Sequence, residues 1–491
     1  MWSSMIDRKL VIGFSNSRTI VLLVLFTLLE TINIVFMESS LNLLLTVPQI
    51  IIVLYYLYAK NDLYTAFLLH IIFILTGLDA TSGSSEMQLM SYAKVKLFGP
   101  LTMSYIILGL MWLRVIKWPI VCQSQSLLLL LRKLFLYFFI FGVAIGIPGL
   151  IFYGHRVGDF ILPFVYVLVG YIYSDIYIRI CKPEYLKRCT NFVYILLISA
   201  PFATFITYFL LNIRATYSVF DALIYNEMFI IAPIMILLLF FNVKEKGWLI
   251  LSLVVYLFCV TAAGRGGMFL NIFVSLIFAL YYIYFVKDLR RTKVISILRT
   301  AIPILAFVGI TYVGFVEVDG GQSLAASKIN ELISLLNAVT SLRSTSFVLT
   351  DISASPYIRV AEVFNIIDNG LREPLCLVFG HGFGGVYTDS THLFENVDVA
   401  DGGFPIEVVN SGKYGMAHSF LPTTLLYNGI IGLCLLFSLG IKYIKRCKFS
   451  PYTYAAYILC FYSFYFNTSL LIGATFLLFC AENKLNYKMI K

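Results

Sequence analysis

The chain has 491 residues, 60% of them hydrophobic and only 13% charged, with a mean hydropathy of +0.88 and a formal charge of +10. Soluble domains are about 45–50% apolar and about 25% charged, so a water-soluble fold is excluded and the sequence reads as an all-α polytopic integral membrane protein. The basic excess raises nucleic acid as a partner, a question its distribution along the chain decides.

Apolar runs long enough for a hydrocarbon core of about 30 Å fall at 19–37, 41–59, 63–79, 97–115, 133–153, 160–179, 190–211, 228–243, 247–263, 268–287, 299–316, 419–441, 451–466 and 468–482. That predicts about fourteen transmembrane helices, with residues 451–482 also readable as one helix interrupted near Asn467. Threading charge through the alternation puts 26 of the 36 basic residues on one side with seven acids. This is the positive-inside bias. It reports orientation, with both termini cytoplasmic, and leaves a nucleic-acid partner unsupported. The charged start lacks a small-residue cleavage site, so the first span reads as an uncleaved anchor. Among nine cysteines only Cys376 falls in an outer loop, so no disulfide framework is expected, and no Cys/His spacing resembles a zinc site.

The predicted organisation is helices 1–11 over 1–315, a large extracytoplasmic loop over 316–418, and helices 12–14 over 419–491. Loops of that length are usually functional or disordered, and this one carries helix and turn signals. Ile329, Leu332, Ile333, Leu336, Val339 and Leu342 recur at helical spacing, predicting an amphipathic helix over 325–342 on the membrane surface. Ser355-Pro356 opens a second helix, and Asn369-Gly370 predicts its left-handed stop. Gly380-His381-Gly382-Phe383-Gly384-Gly385 follows, which fits no nucleotide fingerprint and reads as a turn.

Three basic groups stand at helix N-termini, where free N–H groups and the dipole favour anions. Arg265 lies in Ala-Gly-Arg-Gly-Gly, Arg359 in the first turn of the Pro356 helix, and His418 just before the span at 419. Gly266 and Gly267 would let a phosphate approach the backbone. Two guanidinium forks suit a diphosphate, and a histidine can take a proton from a hydroxyl. By position alone, Arg265 equally suits an arginine snorkelling to headgroups, Arg359 a solvated helix residue, and His418 an interfacial histidine. Asp398 and Asp401 are not spaced as a metal pair. His70 can sit neutral in its span, Asp175 is expected to be wetted at the cytoplasmic end, and Glu30 has no assignment. No Gly-x-x-x-x-Gly-Lys-Ser/Thr occurs, so no P-loop binds ATP.

Taken in order, Ala-Gly-Arg-Gly-Gly, Arg359 with Gly370 eleven positions on, Phe379-Gly-His-Gly-Phe-Gly-Gly, and His418-Ser-Phe-Leu entering Gly429-Ile-Ile-Gly432 resemble the O-antigen polymerase and O-antigen ligase superfamily of bacterial cell envelopes. The topology covers nearly the whole chain and the motifs about 260–435. The resemblance implies a GT-C-like glycosyltransferase in the bacterial inner membrane. It would join undecaprenyl-diphosphate-linked glycan donor and acceptor with neither cofactor nor metal, alongside a chain-length regulator protein. It also implies that Arg265 and Arg359 hold the donor diphosphate and that His418 activates the acceptor. The family's further arginine, separated from a glycine by fifteen intervening residues, has no match, so Arg265 takes that role by context. Arg214, Arg343, Arg372 and His381, all on the outer side, are secondary candidates for substrate binding with Gly266, Gly267 and Gly370. A ligase acting on lipid A core is the nearest alternative, and a lipid-linked oligosaccharide flippase or other transporter the next.

Overall fold

The computed structural model describes residues 16–36, 39–76, 90–98, 101–122, 126–152, 155–211, 248–255, 354–396, 404, 406–415, 417, 420–446, 472–473 and 475–480. Arg214, Arg265, Gly266, Gly267, Arg343, Asp398, Asp401, His418, the 325–342 helix and the spans at 228–243, 268–287, 299–316 and 451–466 lie outside the described residues.

Helices stand where the apolar runs predict them. α1 is Asn16–Val35, α2 Leu43–Leu54, α3 Leu63–Leu75, α4 Met103–Val115, α5 Leu127–Phe152, α6 Val157–Ile180 and α7 Pro183–Phe205. Farther on come α8 (Ala354–Arg372), α9 (Pro374–Phe379), α10 (Ile406–Ser411) and α11 (Phe420–Arg446). Among the described residues, five helical stretches are long and apolar enough to cross a membrane: Ser40–Ala59, which contains α2, then α5, α6, α7 and Leu421–Lys442 within α11. The span expected at 97–115 starts later. Lys96–Phe98 and Leu101–Thr102 pair as an antiparallel hairpin, and the helix begins only at Met103. Gly99-Pro100 in the sequence accounts for this, since proline pushes the residue before it away from helical backbone.

Packing is tightest between α5 and α6, between α1 and α7, and between α11 and both α5 and α9. Gly170 on α6 permits one such approach, because a Cβ there would lie 2.3 Å from the Phe135 ring. Along α1 and α2, Val21, Leu25, Leu44 and Ile51 are exposed apolar residues, the surface a bilayer would cover.

One end of the bundle gathers the basic residues. The Asp175 carboxylate, 1% exposed, pairs with Arg132 at 2.6 Å and Arg179 at 2.9 Å, and accepts from the Trp112 indole N–H at 2.9 Å. Arg179 also donates to the Trp118 carbonyl, Arg114 donates to the Leu57 carbonyl and Asn61 Oδ1, and Lys182 lies over the Tyr64 ring. Asp175 is therefore not wetted as expected. It is buried, with two guanidiniums and an indole in place of water.

Two other buried polar groups also find partners. His70 sits between the Tyr92 and Tyr173 hydroxyls at 2.8 and 2.7 Å, which suits a neutral ring with one donor and one acceptor. Glu30, 2% exposed, accepts from Ser199 Oγ at 3.0 Å, tying α1 to α7. Where space is open, glycine only weakens a helix. A Cβ at Gly109 in α4 meets nothing within 4 Å. Gly109→Ala is expected to stabilise the fold by about 0.5–1 kcal/mol, read as a raised unfolding midpoint in detergent.

Candidate functional site

The end opposite the basic network is built around a break in α11. Gly429 has φ 64° and ψ −165°, which interrupts the helix in its middle. A break strands carbonyls that would otherwise bond four residues ahead, and inside a membrane those need protein partners. The glycine segment supplies them. The His381 N–H donates to the Leu426 carbonyl at 2.7 Å, and the Gly382 N–H to that of Tyr427 at 3.1 Å.

The segment is therefore not the plain turn expected from sequence. It is wedged between α11 and α5. Gly380, Gly382 and Gly384 have φ of 85°, 71° and 81°, the left-handed region that favours glycine. A Cβ at Gly380 would lie 2.3 Å from the Tyr427 backbone, and one at Gly382 2.3 Å from the Gly146 nitrogen. On the other wall, the Phe383 N–H donates to the Gly142 carbonyl at 2.8 Å, and its ring covers bare Gly142. Gly142 lies ten residues before the α5 terminus at Phe152, about 15 Å along the helix. Gly142, Gly146 and Gly149 form a small-residue stripe of the kind that admits close backbone approach.

The second helix of the loop behaves differently from expectation at its end. α8 runs through Gly370 to Arg372 without a left-handed stop. Gly370 is needed for packing instead, since a Cβ there would meet the Leu377 side chain of α9 at 2.9 Å. The inner face of α8 is buried through Tyr357, Ile358, Ala361, Glu362, Asn365 and Ile366. Asn365 donates to Asp389 Oδ1 at 2.8 Å and accepts from the Thr391 N–H and hydroxyl. Asn369 donates to Ser390 Oγ and accepts from Thr388. These bonds clamp α8 to residues 388–391, while Tyr387 and Tyr414 exchange backbone bonds at 3.0 and 2.9 Å.

On this fixed helix Arg359 is exposed. Arg372, one of the secondary candidates, is paired with Asp368 at 2.8 Å and is largely exposed. His381 stands on the glycine segment, half-buried. Burial holds its imidazole below the usual histidine range, Glu373 opposes that, and His155 adds to it. His155 is itself lowered, first by burial and then by Lys413, with Asp159 opposing. Neutral imidazoles are thus the expected form of both at physiological pH.

His155, Asp159, Lys413 and Glu373 form a polar cluster with His381, each within electrostatic reach of a neighbour, and sequence reasoning singled out none of these four. The His155 ring rests on bare Gly149, and Asp159 lies 3.1 Å from where a Gly415 Cβ would be. The glycine spacing in α5 was the available signal, since a small-residue stripe on a span marks close packing. Of the predicted site residues, Arg359, Gly370 and Arg372 lie on α8, and His381 lies on the glycine segment after α9. Glu373, Cys376 and His381 also place their ligand atoms within 4.8 Å of one another, a set with metal-ligating chemistry.

The fold and site define a mostly helical chain with helices long and apolar enough to cross a membrane, and a glycine segment wedged between two of them beside a polar cluster. Comparison with protein-family models, with curated proteins and with solved structures finds no match to this chain.

Proposed function

We propose that the protein is an inner-membrane glycosyltransferase of the O-antigen polymerase kind, with about fourteen spans and a GT-C-like plan, its glycine segment and the polar cluster beside it facing the periplasm. It joins undecaprenyl-diphosphate-linked repeat units into a polysaccharide. Arg359 and Arg265 stabilise charge developing on the departing diphosphate, and His418 orients or deprotonates the acceptor hydroxyl. Displacement is direct, with inversion at the anomeric carbon. The clamped outer loop holds the two lipid-linked glycans in register, the proximity contribution.

The observation that carries this reading is Arg359. It is exposed on a helix that Asn365 and Asn369 pin to residues 388–391. Asp159, in the polar cluster with His155, lies sixteen residues, about 24 Å along α6, from Asp175 in the basic network. Positive residues therefore collect at the opposite end, as a cytoplasmic side requires. The test is a surface-glycan gel from a deletion strain complemented with wild type, Arg359→Ala or Arg359→Lys. The expected result is a ladder collapsed to core bearing one repeat unit, restored by wild type. Arg359→Ala should slow polymerisation by about 10²–10³-fold, and Arg359→Lys, which keeps charge without the fork, by less. Full-length polymer from Arg359→Ala would sink the reading. Naked core with polymer retained on its carrier would point to a ligase.

A further inference from the structure

We infer that Glu373, Cys376 and His381 form a binding site for a thiophilic divalent cation of the zinc class. The inference does not depend on the glycosyltransferase reading.

The three residues come from one short stretch that the fold bends back on itself. Glu373 precedes α9 and Cys376 lies one turn into it, on the same side of the helix. Gly380 ends α9 at φ 85°, and that left-handed turn returns the chain so that His381 meets the other two. The backbone is held throughout. The Cys376 N–H donates to the Glu373 carbonyl at 2.8 Å, the Gly380 N–H to the Cys376 carbonyl at 2.7 Å, and the His381 N–H to Leu426 of α11. Among the described residues, no other set of three such groups is assembled this closely.

Zinc bonds of about 2.0–2.3 Å at tetrahedral angles separate ligand atoms by about 3.3–3.8 Å. Cys376 Sγ and Glu373 Oε2 already stand 3.3 Å apart. All three ligand atoms lie within 4.8 Å of one another, so about 1 Å of side-chain adjustment brings the widest pair to that spacing. Glu373 is exposed, and its side chain caps no helix N–H. One carboxylate, one imidazole and one thiolate suit a borderline-soft ion and not magnesium or calcium, which take oxygen shells. A bound cation takes the Cys376 sulfur as thiolate and releases its proton to solvent, replacing the hydrogen bond that Cys376 Sγ now donates to Glu373 Oε2. Three protein ligands leave a fourth position for water or an anionic oxygen.

The experiment uses the full chain in detergent, stripped with a chelator and titrated with Co²⁺ alone. Wild type is expected to take up one equivalent with sulfur-to-cobalt charge-transfer absorption, displaced by Zn²⁺. Cys376→Ser should abolish the band, and Glu373→Gln should weaken binding about tenfold or more. Cys434→Ser, which removes an exposed thiol elsewhere, should leave the band unchanged. Monodisperse elution and an unchanged unfolding midpoint establish that each variant is folded. The inference is overturned by folded wild type that shows no sulfur band at millimolar Co²⁺, by a band retained in Cys376→Ser, or by full affinity in Glu373→Gln.

Discussion

Gly380→Ala and Gly382→Ala are each expected to destabilise the protein by about 2–5 kcal/mol and to leave little folded material in detergent. Two costs add. A non-glycine residue held in left-handed backbone costs about 1–2 kcal/mol, and forcing a methyl into filled space costs about 1–3 kcal/mol. Both positions have positive φ, and both would drive the methyl to 2.3 Å from backbone that has no side-chain freedom to yield. The same molecule separates the two terms. Gly412 has φ 63° but nothing within 4 Å of its Cβ, so Gly412→Ala should carry the strain alone. Gly146, inside α5, lies against the Phe383 backbone at 2.5 Å without positive φ, so Gly146→Ala should carry the collision alone. Thermal unfolding of the four variants in one detergent is the measurement. If Gly380→Ala were no worse than Gly412→Ala, the segment would not be wedged between α5 and α11.

Asp175→Ala is expected to cost about 3–5 kcal/mol, because removing one member of a buried ion network leaves the others uncompensated. Arg132 and Arg179 would keep their charges at 24% and 11% side-chain exposure, and the Trp112 indole N–H would lose its acceptor. Asp175→Asn should be milder, since an amide oxygen can still accept from the indole. Replacing all three ionic residues by apolar ones of similar size should recover most of the loss, because paired charges repay their desolvation poorly. The measurement is again the unfolding midpoint, with expression level as a second readout. A midpoint for Asp175→Ala within error of wild type would mean that both arginines reach water and that the network contributes nothing.

The glycine segment marks the limit of what the sequence made legible at the candidate site. Gly380 to Gly385 was visible as unusual, but its composition alone fits a turn, and only its neighbours make it a wedge. Gly370 shows the same limit. Asn369-Gly370 carries the chemistry of a helix stop, yet α8 continues, and the glycine serves packing instead, because Leu377 of α9 occupies the space that any side chain would need. Asp175 was legible as a charge near a helix end. That it is buried depended on Arg132 and Trp112, which come from two other helices.

By itself the sequence determined that the chain is mostly helical with stretches apolar enough to cross a membrane, where most of the helices from α1 to α7 and α11 lie, and the gathering of basic residues at one end. These are properties of local composition: a helix satisfies its own backbone, so an apolar run of sufficient length needs no distant partner to become one. Only the tertiary structure decided that α11 breaks at Gly429, that the segment after α9 caps the break against Gly142 and Gly146, and that Glu373, Cys376 and His381 converge. Those outcomes rest on contacts between residues such as Gly142 and Phe383, far apart along the chain. A backbone carbonyl freed in apolar surroundings must find a donor somewhere, and local sequence does not say which distant segment provides it.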